Sequence, residues 1–243
     1  MNGGVLNWAV THAGMVRPHN EDALVCCPQI GLWAVADGAG GHHAGKLASG
    51  MIEAALQDIP PELGADELLT QVRLRLSAVH HALRERARRD IGEDGVIAST
   101  VVSLIIKDGF FACLWAGDSR AYLLRAGEMR YITRDHSVVQ AMVDAGELTP
   151  MEAERHPRAN IITRAVGSAE PDLALDKVTD RLMPGDRFLL CTDGLCKALS
   201  AETMAALAAS LNDPAAQLVS AALRAGARDN VTAVVVEYRP ADD

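Results

Sequence analysis

Aromatic side chains are scarce in this 243-residue chain, which holds three Trp, three Tyr and three Phe. Its core must therefore be built from Leu, Val, Ile and Ala, and a pocket that stacks nucleotide bases has few rings to draw on. Positive charge is also short. Lys and Arg number 23 against 32 Asp and Glu, a formal net charge of -9. This balance argues against nucleic acid and anionic membrane as partners, because both need clustered cations. The five cysteines (Cys26, Cys27, Cys113, Cys191, Cys196) form no C-x-x-C pair and no set with His at zinc spacing. Their odd count does not suit a disulfide framework, so they read as free thiols in a reducing cytoplasm. Long apolar runs are missing too. The longest, Val96 to Ile106, falls short of the roughly 18 residues that cross a bilayer. Met1 to Trp8 lacks the basic-then-apolar order of a signal peptide. The expectation is a cytoplasmic protein with no membrane contact.

What is present is an ordinary globular composition, 49% hydrophobic and 23% charged, with room for one large domain or two small ones. The organising stretch is Val35 to His42. Here an apolar run reaches Asp37, three glycines follow (Gly38, Gly40, Gly41), and His42 closes the segment. The run before Asp37 reads as a buried strand, and the glycines let backbone approach whatever the carboxylate holds. A second unit of this kind lies downstream, where Phe188 to Thr192 runs into Asp193-Gly194.

Taken in order, residues 5–13 read as a strand leading into Arg17-Pro18-His19-Asn20-Glu21-Asp22. A hairpin of 23–27 with 31–36 would set Glu21, Asp22 and Asp37 at one end of a sheet. A solvated acidic loop beside an unrelated turn stays open as the alternative. Helices are expected over 43–57 and 65–89 from apolar spacing. The basic end Arg84 to Arg89 reads as a solvated helix terminus. Strands at 99–107 and 109–115 join at Asp108-Gly109, and strands 121–124 and 129–133 continue an antiparallel meander. Asp118 sits where a strand ends in a glycine turn, and Arg120 beside it reads as half of a structural ion pair. Residues 134–167 break the rhythm and read as a functional flap rather than a linker. Strands at 173–180 and 187–192, helices at 201–211 and 214–225, and a final buried strand at 231–236 complete the chain. Asp229 stands at the start of that last strand.

Glu21, Asp22, Asp37, Asp118, Asp193 and Asp229 thus fall at strand ends. Clustered anions repel unless a cation neutralises them, and oxygen-only ligands select Mg²⁺ or Mn²⁺ over Zn²⁺. Two such ions about 4 Å apart activate a bridging water for attack on phosphorus. Hydrolysis of a phosphate ester is the reaction that follows.

The segments RPHNED, VADGAGGH, AGDSR, CTDGL and DNVTAVVV, in this order, resemble the metal-dependent protein phosphatases, the type 2C serine/threonine family. The flap segments TRDHSVVQAMVDAGELT and NIITRAVG resemble its bacterial branch. The resemblance spans essentially the whole chain and implies one phosphatase domain over 1–243. Its implied fold is an α-β-β-α sandwich of two antiparallel sheets, with the metal site at one end of the cleft between them. By motif, Asp37 would bridge two metals, the Gly38 carbonyl and Glu21 would complete one ion, and Asp193 and Asp229 the other. Asp22 would orient bound water, Arg17 would hold the substrate phosphate, and His42 would protonate the leaving oxygen, with His43 the weaker candidate. The implied partners are phosphoproteins, with a bacterial serine/threonine kinase acting in opposition. Two positions depart from the family: Lys46 and Lys197 stand where acidic residues are usual. Lys197 bears on a third, weaker ion that would rest on Asp118. A hydrolase of small phosphoesters and a phospho-binding module are the competing readings.

Overall fold

The computed structural model describes residues 4–39 and 44–239. Among them the chain runs β1 Gly4–His12, β2 Asp22–Cys27, β3 Leu32–Ala39, α1 Ala44–Gln57, α2 Ala65–Asp90, β4 Ala98–Ser99 and β5 Val101–Lys107. It continues through β6 Phe110–Ala116, β7 Arg120–Arg125, β8 Glu128–Tyr131, α3 Val138–Asp144 and α4 Pro150–Glu154. The final elements are β9 Asp176–Arg181, β10 Arg187–Cys191, α5 Asp193–Ala198, α6 Ala201–Ala208, α7 Pro214–Arg224 and β11 Val231–Arg239.

The strands form two antiparallel sheets. One is ordered β1-β11-β10-β7-β8; the other is β2-β3-β5-β6-β9, with β4 paired to β3. Alternation along the strands divides the interior into three apolar layers. In β3, Leu32, Ala34 and Ala36 face Ile52, Leu56, Leu68 and Leu76 of α1 and α2. The intervening Trp33 and Val35 turn inward to meet Phe188, Leu190, Val234 and Val236 of the other sheet. On that sheet's far face, Leu189, Val231, Ala233 and Val235 pack with Leu195, Met204, Leu218 and Ala222 of α5, α6 and α7. Helix, sheet, sheet and helix are thus stacked as the family resemblance implies. Because each sheet is covered on both faces, its central strands read as near-continuous apolar runs although the pairing is antiparallel.

One strand differs from expectation in a way that shapes the site. The run 99–107 is interrupted at Thr100 into β4 and β5. Thr100 stands opposite Asp37 and binds it through backbone and side chain: its N–H donates to the Asp37 carbonyl at 2.9 Å, and its Oγ1 accepts from the Asp37 N–H at 3.0 Å. The pairing keeps its register through the interruption, with Gly38 opposite Ser99 and Val35 opposite Val102. Strand β9 begins at Asp176 and helix α6 ends at Ala208, each shorter than the apolar pattern implies.

Candidate metal centre

Strand register brings the first two carboxylates together: Asp22 lies directly opposite Asp37 in the β2–β3 pair. Like charges in that position repel, so the pairing needs compensation from elsewhere. Part of it comes from the second sheet. Asp22 is buried, and its Oδ2 accepts hydrogen bonds from Thr192 Oγ1 at 2.8 Å and Thr232 Oγ1 at 2.6 Å. Thr192 in turn accepts from the Thr232 N–H at 3.1 Å. These bonds pin the ends of the two sheets to each other. The other oxygen, Asp22 Oδ1, is buried and receives no donor.

Asp193 enters from the opposite side of the cleft. Thr192 precedes α5 in extended conformation and Asp193 opens the helix, where an anion suits the dipole. Its Oδ1 is also buried without a donor, while Oδ2 takes the Lys197 ammonium at 2.5 Å. Lys197 lies one helical turn on and also donates to Asn160 Oδ1 of the flap at 2.7 Å. This lysine therefore faces the acidic site and links it to the flap.

Glu21 is placed by its backbone. Its N–H donates to Asn230 Oδ1 at 2.8 Å, and its carbonyl accepts from the Gly38 N–H at 3.3 Å and from Ser49 Oγ of α1. The chain is tight here. A Cβ on Gly38 would fall 2.1 Å from the Gly45 carbonyl oxygen, and one on Gly45 would fall 3.0 Å from the Glu21 carboxyl carbon. Only glycine at both positions lets β3 and α1 close around Glu21. Lys46 follows on α1 and reaches the Asn20 carbonyl at 3.4 Å.

Asp229 completes the ring and is paired with Arg17, Nη2 to Oδ2, at 2.8 Å. Asn230 beside it is a hub. Its Nδ2 donates to the carbonyls of Ala13 and His19 at 3.0 and 2.9 Å, so one amide holds the Arg17 loop, Glu21 and the start of β11 in place. Gly14 and Gly194 allow the closeness: a Cβ on either would meet backbone oxygen of Asp229 or Asn230 at 2.0 Å.

The electrostatics record how crowded the site is. Burial, more than the hydrogen bonds can offset, pushes Asp22 up to about 7, with Asp193 and Asp229 adding to it. Burial followed by repulsion from Asp193 and Asp135 lifts Asp118 to about 7, opposed by Lys197. Asp37 is raised well above the usual carboxylate range by burial, then by Asp22, Asp193, Asp118 and Asp229 in turn. Five of the six predicted carboxylates thus act on one another. Among the described residues no three acidic, His or Cys side chains close on one point as a ready-made shell. Two orphaned carboxylate oxygens and an oxygen-only donor set fit a hard divalent ion that keeps several of its waters. His42, His43 and the glycines Gly40 and Gly41 lie outside the described residues.

The model for protein phosphatase 2C matches residues 17–230. The chain belongs to the protein phosphatase 2C family. The resemblance carried by its five motifs is thereby borne out. A curated family member is the serine/threonine protein phosphatase PstP of Mycobacterium tuberculosis, 36% identical over 236 residues, covering 96% of this chain and 45% of that protein. The chain thus spans about half the length of this relative. The serine/threonine phosphatase stp of Listeria innocua is 32% identical, with 93% of each covered. Among solved structures, PppA of Pseudomonas aeruginosa superposes with a TM-score of 0.88 at 38% identity, covering 96% of this chain and 97% of that one. The catalytic domain of PstP in complex with two manganese ions superposes with a TM-score of 0.85 at 33% identity, covering 97% and 98%. The sandwich of this chain is therefore the phosphatase 2C fold.

Four residues that hold this arrangement together escape a reading of the sequence alone: Thr192, Thr232, Asn230 and Ser49. Each is a small polar residue, three of them inside the quoted motifs, and only the packing of the two sheets and α1 shows what it binds. Asn230 offers the one usable signal, an amide wedged between a strand-end Asp and a buried strand.

Proposed function

We propose that the chain is a metal-dependent serine/threonine phosphatase, hydrolysing phosphoserine and phosphothreonine in proteins. Two buried carboxylate oxygens without donors, Asp22 Oδ1 and Asp193 Oδ1, carry the reading, because such oxygens persist in a core only where a cation or the water it holds answers them. In this reading Asp37, the Gly38 carbonyl, Glu21, Asp193 and Asp229 would hold two ions. Bound Mn²⁺ or Mg²⁺ supplies a water acidic enough to attack phosphorus and neutralises charge on the phosphoryl oxygens.

The protein's own groups do the rest. Asp22, fixed by Thr192 and Thr232, presents Oδ1 as an acceptor that orients the attacking water. Arg17 stands at the rim with its guanidinium half exposed, and its planar fork matches two phosphoryl oxygens. His42 donates a proton to the leaving seryl or threonyl oxygen, a group that departs poorly as an alkoxide. Asp118, with Lys197 acting on it, is the candidate for a third, weaker ion. The flap, held to Asp193 through Lys197 and Asn160, forms one wall of the substrate cleft.

The substrates in this reading are phosphoproteins modified by a serine/threonine kinase, in the cytoplasm, with residues 1–243 acting as one phosphatase domain. Among the described residues no helix is long and apolar enough to cross a membrane. The test is turnover of phosphothreonine peptides against nucleotides and small sugar phosphates, each with Mn²⁺ and with chelator. Preference for the peptides, dependent on metal, is expected. Preference for the small esters overturns the protein-phosphatase reading.

A further inference from the structure

Of the five cysteines, two lie beside the site without a part in its chemistry. Cys191 ends β10, buried, and Cys196 lies in α5, half buried. Their Sγ atoms are 3.3 Å apart. Between them in sequence stand Thr192, Asp193, Gly194 and Leu195, including the residue that holds Asp22 and the residue that presents Oδ1 to the site. Cys196 Sγ is also 3.6 Å from the Tyr122 hydroxyl, which lies 3.5 Å from Arg120 Nη1. A hydroxyl donor backed by a guanidinium favours the thiolate form, which is the nucleophile in thiol oxidation.

The remaining thiols have no such arrangement. Cys26 and Cys27 are neighbours on β2, so their side chains point to opposite faces. Cys26 packs between the sheets and Cys27 beneath the helices. Cys113 is fully buried in the inter-sheet layer.

We propose that Cys191 and Cys196 are an oxidation site for hydrogen peroxide, and that the disulfide they form distorts the Thr192–Asp193 turn and weakens metal binding. The chemistry balances without a protein co-reactant. The Cys196 thiolate attacks one peroxide oxygen and becomes a sulfenic acid, and the hydroxide released takes up a proton to leave as water. The Cys191 thiol then attacks that sulfur, and the second oxygen leaves as water. Two thiols and one peroxide give one disulfide and two waters, the sulfurs oxidised and the peroxide reduced. A disulfide needs its sulfurs about 2 Å apart, so they must close by more than 1 Å from their present separation. A metal site tolerates displacement of only about 0.5 Å. The two sulfurs lie at either end of the turn that carries Thr192 and Asp193.

The effect on metal rests on the metal reading above, so the test separates the two. The reduced full chain is treated with hydrogen peroxide, alkylated in denaturant and cleaved with trypsin. Arg187 and Lys197 bracket a peptide, residues 188–197, that holds both cysteines and no others. After oxidation this peptide should appear unalkylated and two hydrogens lighter than its reduced form, and dithiothreitol should restore it. Calorimetric titration should show Mn²⁺ affinity falling about tenfold on oxidation, as for loss of a group that orients a ligand. The Cys196→Ser protein should keep its affinity after the same treatment. Free thiols at both positions after peroxide, or an irreversible sulfinic acid at Cys196, overturn the proposal, as does a disulfide that leaves Mn²⁺ affinity unchanged. If the reduced protein binds no Mn²⁺, the metal reading fails, and the peptide mass still decides whether the pair forms.

Discussion

Buried without a cation, Asp22 and Asp118 are both pushed up to about 7 from an ordinary 3.8, and this has a sign. A carboxyl that binds its proton more tightly when folded costs stability as pH rises from its unfolded value through its folded one. Metal-free protein should therefore melt at progressively lower temperature between about pH 4 and 7, by an amount worth a few kcal/mol. Saturating Mn²⁺ should remove most of that slope, and thermal melts across the range, with and without metal, check it. For the same reason Asp37→Asn and Asp193→Asn should each lower turnover by roughly a thousandfold or more, the scale of removing a charge-stabilising group. In chelator each variant should melt no lower than the wild type, since it removes one of several repelling anions. Near-normal turnover in either variant would remove that residue from the site. His42→Ala should damage hydrolysis of a phosphothreonine peptide more than that of a nitrophenyl phosphate, whose leaving group needs no proton. Equal losses would assign His42 a role in positioning instead.

At the scale of elements, the side chain of Lys197 joins α5 to the flap. Lys197 bridges Asp193 of the helix and Asn160 of the flap, and its charge acts on Asp118. An ammonium in that position supplies part of what a third ion would, and repels one. The wild type should therefore show little further activation at high Mn²⁺. Lys197→Asp should gain a low-affinity activating phase, and adding Asp118→Asn should abolish it. The metal dependence of the initial rate decides, and a strong low-affinity phase in the wild type that depends on Asp118 would refute it. The strand interruption at Thr100 belongs to this scale too. By binding Asp37 through both N–H and Oγ1, it holds that carboxylate's backbone from the neighbouring strand.

For the whole molecule, the apolar runs of β3, β10 and β11 are enough to read buried strands, and the two sheets between helices follow from the family resemblance of the motifs. Asp-Gly at strand ends was enough to read where the carboxylates collect. Both are local signals with a physical period or a stereochemical cause. The residues that join the sheets were not legible, because nothing about Thr192, Thr232 or Asn230 alone says what stands across the cleft. Lys197 was legible as a departure from the family, yet its direction toward Asp193 rather than solvent came only from the helix geometry. The central claim is that these carboxylates form a catalytic centre that works only with divalent metal. The most direct measurement is turnover of a phosphothreonine peptide by protein stripped of metal, with Mn²⁺ then returned in steps and its bound amount measured alongside. The account predicts no turnover without metal and full recovery as two ions bind per chain. Undiminished turnover in protein shown to be free of metal would contradict it.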